Sequence, residues 1–171
     1  MEIHDREIAV SDTSVLINFL AVDRVDLLVR EYQVLITNHV RREVTNHYPD
    51  ELVRLEQALS AGKVTEIVVA SKEELETFAN LIGSPKRLGV GECAAIAAAV
   101  HRTVPIAIDD RVAIRHLQDR YPACRVETTQ SLMVKLIRKG AVSIALADHL
   151  KSEWENKFRF RLKVSSFADL L

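Results

Sequence analysis

Glycine, proline and cysteine are all scarce in this chain: five, four and two among 171 residues. So few glycines and prolines exclude a collagen-like, low-complexity or loop-dominated chain. The two cysteines, Cys93 and Cys124, lie far apart and outside any Cys-x-x-Cys spacing. That excludes a disulfide framework and a thiolate zinc site, and fits a reducing compartment. Long apolar runs are missing as well. The stretch from Val10 to Leu20 is broken by Ser11, Asp12, Thr13, Ser14 and Asn18, well short of the roughly 20 residues that a membrane span needs. Met1 to Glu7 is mostly charged and polar, without the basic-then-apolar order of a secretion signal. A soluble, cytoplasmic protein with no membrane association is expected. Net charge is nearly absent too, at −1. This excludes a strongly basic nucleic-acid coat protein but leaves room for a local basic rim around an acidic site.

Several chemistries are missing with them. His39, His47, His101 and His116 have no metal-like spacing and read as ordinary surface or helix-end histidines. Gly89-Val90-Gly91 lacks the third glycine of a dinucleotide fingerprint, and no strand directly precedes it. Neither a Gly-x-Ser-x-Gly elbow nor a phosphate loop occurs. Asp12-Thr13-Ser14 has no second acid two residues on, which argues against an aspartyl-phosphatase.

What is present is an apolar content of 48% arranged in alternating short runs. Residues 8–11, 34–37, 64–70, 105–108 and 125–128 read as strands, being short, apolar and β-branched. Helices are expected between them, near 14–20, 25–32, 39–45, 50–61, 71–83, 89–101 and 112–120, then at 131–139 and 143–155. Ser71 with Glu74 forms a capping box, and Gly62 and Gly140 close helices. The alanines of 94–99 allow close helix packing. Alternating strands and helices predict an α/β fold, a mainly parallel sheet of about five strands covered by helices on both faces. No repeat or linker divides the chain. It is read as one domain over 1–171, with a core at about 8–126 and an extension at about 131–171. The tail from Phe158 to Val164 alternates apolar and basic residues. That period predicts a half-buried edge strand guarded by its charges, or a contact for RNA or a partner chain.

Acids recur where these elements meet. Asp12 ends the first strand, and Asp109-Asp110 end the fourth. Glu43 lies in the helix after the second, and Glu92 opens the helix before the fourth. In an open parallel sheet, ligands bind beyond the carboxyl ends of the strands, so the four positions can share one rim. Each also has a plain role as a helix cap, a dipole partner or a solvated helix residue. A cluster of bare carboxylates is unfavourable, because like charges repel and one acid takes up a proton. A hard, oxygen-loving cation such as Mg²⁺ or Mn²⁺ removes the conflict and favours phosphodiester hydrolysis. The hydroxyl of Thr13 or Ser14 could hold a carboxylate or a metal-bound water. Lys86, Arg87, Arg111 and Arg115 are candidates for phosphate contact, or for an ordinary solvated face.

Four segments together resemble the PIN-domain nucleases. Val10-Ser11-Asp12-Thr13-Ser14-Val15-Leu16-Ile17-Asn18 is similar to the family's opening motif. Val34 to Val44, with Glu43, resembles its second acidic segment. Gly89-Val90-Gly91-Glu92-Cys93-Ala94-Ala95-Ile96 is similar to the glycine-glutamate helix start of one branch. Ile106 to Arg115, with Asp109-Asp110-Arg111 and Ala113, resembles the aspartate-rich fourth motif. The likeness runs from about Ile8 to Val126, and more loosely to the C-terminus. It departs at Thr37-Asn38-His39, where a proline is common. The resemblance implies an α/β/α sandwich, Mg²⁺ or Mn²⁺, and cleavage of single-stranded RNA. It makes Asp12, Glu43 and Glu92 metal-site acids, with Asp109 or Asp110 as the fourth. It further implies the toxin of a toxin–antitoxin pair, with a small antitoxin partner and a homodimeric state. The alternative reading is a PIN-like module that binds RNA or protein without catalysis.

Overall fold

A computed structural model describes residues 6–85 and 87–171; the expectations for residues 1–5 and for Lys86 lie outside it. Five strands, β1 (Glu7–Ser11), β2 (Tyr32–Thr37), β3 (Val64–Ile67), β4 (Ile106–Ala107) and β5 (Val126–Glu127), form one sheet in the order β3-β2-β1-β4-β5. Every neighbouring pair is parallel. The helices are α1 (Thr13–Ala21), α2 (Val25–Glu31), α3 (Asn38–His47), α4 (Pro49–Ser60), α5 (Lys72–Ile82), α6 (Val90–Arg102), α7 (Arg111–Arg120), α8 (Thr129–Arg138) and α9 (Ile144–Lys157). The three-layer α/β/α architecture predicted from the alternation is present.

The layers follow from the two-residue period of a strand, which sends successive side chains to opposite faces. Ala9, Val34, Ile36 and Ala107 join one core with Leu16, Phe19, Leu55, Met133, Trp154 and Phe167. Their neighbours Val10, Leu35, Ile106 and Ile108 join the other, with Leu81, Cys93, Ile96, Ala98 and Leu117. The first core is filled by large side chains. In the second, α6 presents Cys93 to Ala99 fully buried and packs against α3, α5, β1 and β2. Small side chains let helix and sheet approach closely, and the Cys93 thiol is pushed up to about 11 by burial, as suits a packing residue.

Two expectations fail. The third strand stops at Ile67, where its partner β2 also ends, at Thr37. Beyond it the backbone N–H of Ala70 donates to Glu74 at 2.9 Å and turns into α5. The tail Phe158–Val164 joins no strand. Phe160 instead sets its ring edge against Trp154, with centroids 5.9 Å apart, and with Leu162 packs on the first core. Arg159 takes a left-handed backbone, φ 56°, which ends any extended run. From Phe160 on, the alternation survives as Phe160 and Leu162 inward and Arg161 and Lys163 outward, with the core replacing a sheet partner; Phe158 is exposed.

Candidate active site

The strand order reverses between β1 and β4, so the crevice at their carboxyl ends is the topological switch point. Asp12 leaves β1 there and caps α1. Its Oδ2 accepts from the Ser14 N–H at 3.2 Å and from the Ser14 hydroxyl at 2.8 Å. Asp12 is 1% exposed, and its Oδ1 has no hydrogen-bond partner. Burial pushes its carboxyl up to about 6, against the opposing Ser14 and Thr13 hydrogen bonds and with help from the Glu43 charge. The Ser14 hydroxyl also accepts from the Asp109 N–H at 3.1 Å, tying the end of β4 to the Asp12 carboxylate.

Glu43 reaches the cleft from α3. Its Oε2 accepts from the Thr13 hydroxyl at 2.6 Å and its Oε1 from the Gly91 N–H at 2.8 Å. Gly91 leaves room for this arrangement: a Cβ at that position would stand 2.6 Å from the Glu43 carboxylate, which would have to move aside. Glu92, at the third position of α6, accepts from the Gly89 N–H at 2.9 Å. Burial pushes it up to about 7, aided by the charges of Asp12, Asp110 and Glu43. Asp12, Thr13, Ser14, Glu43, His47, Tyr48, Gly89 and Glu92 line one cleft of about 230 Å³.

The two aspartates after β4 part company. Asp110 caps α7, accepting from the Ala113 N–H at 2.8 Å, and its charge acts on Glu92. Asp109 turns toward α8. Its Oδ2 accepts from Asn18 Nδ2 at 2.9 Å and the Thr129 hydroxyl at 2.6 Å, and its Oδ1 accepts from the Thr129 N–H at 2.9 Å. Asn18 is buried, and its carbonyl accepts from Trp154 Nε1 at 2.7 Å. Asp109 therefore joins β4 to α1 and α8, and Trp154 ties α9 to the same residue of α1, Asn18.

Sequence reasoning missed Asn18 as a partner of Asp109, and passed over His47 and Tyr48 at the cleft. His47 was legible: it follows Glu43 by four residues, one turn along the same helix face. Asn18 gave no such signal, since its partner is 91 residues away.

The acids offer oxygen donors only, which suits a hard cation, with His47 the one imidazole at the cleft. Among the described residues, no three acid, histidine or cysteine side chains close around a single ion. Mg²⁺ does not need such a cage, because it keeps several waters and takes one or two carboxylates. The unpartnered buried oxygen of Asp12 and the crowded, proton-retaining Glu92 fit that demand. A larger, mostly apolar pocket of about 370 Å³ lies around Val104, Tyr121 and Cys124, away from these acids.

The sheet order and the switch-point cleft define an open, parallel-sheet α/β protein. The family model DUF3368, a PIN domain, matches residues 8–170, and the chain belongs to this PIN-domain family. No protein of curated function matches it. Among solved structures, the PIN domain of T. brucei RRP44 is similar with a TM-score of 0.55 and 10% identity, over 80% of this chain and 83% of that one. A chain of VapBC2 from Rickettsia felis, solved bound to a DNA fragment from their promoter, has a TM-score of 0.48 and 13% identity, over 71% of this chain and 98% of that one. At such identities these likenesses concern the fold alone.

Proposed function

We propose that this protein is a divalent-cation-dependent ribonuclease that hydrolyses phosphodiester bonds in single-stranded RNA. The observation that carries the reading is Asp12, a buried carboxylate with one oxygen unpartnered and, among the described residues, no arginine or lysine paired with it. We assign Asp12 and Glu92 as direct ligands of Mg²⁺ or Mn²⁺, and Asp110 as the fourth acid, acting directly or through water. Such an ion, when bound, lowers the pKa of its water and neutralises charge developing on the phosphate. Glu43 completes the acidic wall, positioned by Thr13 and Gly91. Asp109 is assigned a positioning role, because Asn18 and Thr129 occupy its oxygens.

Purified protein with Mn²⁺ should cleave single-stranded RNA, and Asp12→Asn, Glu92→Gln and Asp110→Asn should each suppress cleavage. Equal cleavage by all three variants would sink the reading. RNA bound without cleavage, and no metal uptake, would favour a non-catalytic PIN-like module. The role as a cytoplasmic toxin, homodimeric and neutralised by a small antitoxin, rests on the sequence resemblance. Growth arrest on expression, relieved by the product of an adjacent small reading frame, is its test.

A further inference from the structure

Beside the acidic cleft, on the β5 side, lies a second groove of about 270 Å³. It is lined by Asp109, Arg111, Ile114, Thr128 and Gln130 and by the tail residues Phe160, Arg161, Leu162 and Lys163. Phe160 and Leu162 are anchored on the first core, so Arg161 and Lys163 are turned out and exposed. Arg111, at the start of α7, immediately follows the proposed metal-site acid Asp110.

Several cations of the protein are neutralised by acids. Arg41 pairs with Glu56 and Glu66, Arg102 with Glu74, Lys135 with Glu127 and Lys139 with Glu31. Arg111, Arg161 and Lys163 make no ion pair among the described residues. The one carboxylate in the groove, Asp109, has its oxygens taken by Asn18 and Thr129. The N-termini of α7 and α8, two ten-residue helices, open on the same groove at Arg111 and Thr128. Their dipoles add positive potential there. A chain of net charge −1 thus concentrates uncompensated positive charge next to its acids.

We propose that Arg111, Arg161 and Lys163 form a phosphate track that carries single-stranded RNA past the cleft, placing one phosphodiester at the acids. The proposal rests on the nuclease reading for its outlet, but the track itself requires only RNA binding. Phosphates supply affinity and register through charge and release counterions on binding. The basic–apolar alternation of the tail then has a use that an edge strand does not supply: one side fixes the tail to the core, and the other faces the substrate.

The test measures binding of a labelled single-stranded oligoribonucleotide by fluorescence anisotropy, without added metal, over a series of salt concentrations. Arg161→Ala/Lys163→Ala should lower the slope of log affinity against log salt by roughly 1.4, two contacts at about 0.7 each. The double variant Arg30→Ala/Lys63→Ala removes the same charge from exposed sites outside the groove, and should leave the slope unchanged. Equal slopes for wild type and Arg161→Ala/Lys163→Ala, equal losses in both double variants, or no RNA binding by wild type would each overturn the track. Wild-type cleavage in Mn²⁺ is scored separately. Binding lost in the track variant, with no cleavage by wild type, would uphold the track and remove the nuclease. Cleavage by wild type with an unchanged slope would do the reverse. Both altered side chains are exposed, so an unshifted thermal midpoint verifies the fold.

Discussion

Two sets of sequestered carboxylates in this protein have opposite surroundings. Glu74 and Glu127 are 4% and 7% exposed, and burial pushes both up. Arg102 and two backbone N–H groups outweigh that for Glu74, and Lys135, Ser131 and Tyr32 outweigh it for Glu127, so both are held below the usual carboxylate range. Asp12 is as deeply buried, and Glu92 is half-buried, yet among the described residues neither has an arginine or lysine partner. Burial pushes them up, and neighbouring acids add to it. The first set completes itself within the fold. The second holds negative charge that only something from outside can neutralise. Arg102 and Lys135 match Glu74 and Glu127, and the proposed cation site rests on the lack of such a partner, among the described residues, at Asp12 and Glu92.

The comparison breaks most visibly at Asp12. Asp12→Asn should cut RNA cleavage by about a hundredfold or more, a barrier rise of ~2.7 kcal/mol, while leaving the thermal midpoint of the metal-free protein equal or higher. A stability loss of several kcal/mol without metal would place Asp12 with the structural acids. Lys135→Met probes the other set. It should destabilise by about 1–3 kcal/mol, since Glu127 loses a bonded partner, with no change in Mn²⁺ affinity. Gly91→Ala comes next. Its Cβ meets the end of the Glu43 side chain, so Glu43 should swing away at a cost of only about 1 kcal/mol or less by denaturant unfolding, the loss of one hydrogen bond, while metal uptake weakens.

The smallest effect is in pH. Asp12 and Glu92 are raised in the fold, to about 6 and about 7. The native state therefore holds more protons than the unfolded chain between their ordinary and raised values, and stability falls as pH rises through that window. The metal-free thermal midpoint should drop by a few degrees from pH 5 to 7.5, at roughly 2–4 °C per kcal/mol. The drop should shrink in Asp12→Asn/Glu92→Gln, with Asp109, also raised by burial, supplying what remains. Glu74 and Glu127 are lowered, so their contribution is complete above ordinary carboxylate pKa values and is lost only as pH falls further. They do not mask the window.

The fold was readable because its signals are local. Ile8-Ala9-Val10, Val34-Leu35-Ile36 and Pro105-Ile106-Ala107-Ile108 announce buried strands, and Asp12, Thr37, Ser71, Asp110, Thr128 and Ser143 cap the helices. The acids were readable as a set because each follows such an element end. Their division of labour was not. Asp109 and Asp110 are adjacent, and only the distant Asn18 and Thr129 separate their surroundings. Glu43 looked like a solvated helix residue beside Arg41 and Arg42, until Gly91, 48 residues on, bonded its carboxylate. The tail misled because period-two alternation reports one side in and one side out, and a core surface produces that as well as a sheet does.

The most direct test is calorimetric titration of the metal-free protein with Mn²⁺ at pH 6.5, in two buffers of different ionisation enthalpy. Wild type should bind the ion and release protons from Asp12 and Glu92, seen as a buffer-dependent heat, and Asp12→Asn/Glu92→Gln should give no binding heat. Silence from wild type at millimolar Mn²⁺, or equal binding by the double variant, would contradict the claim that these unmatched acids are a cation site.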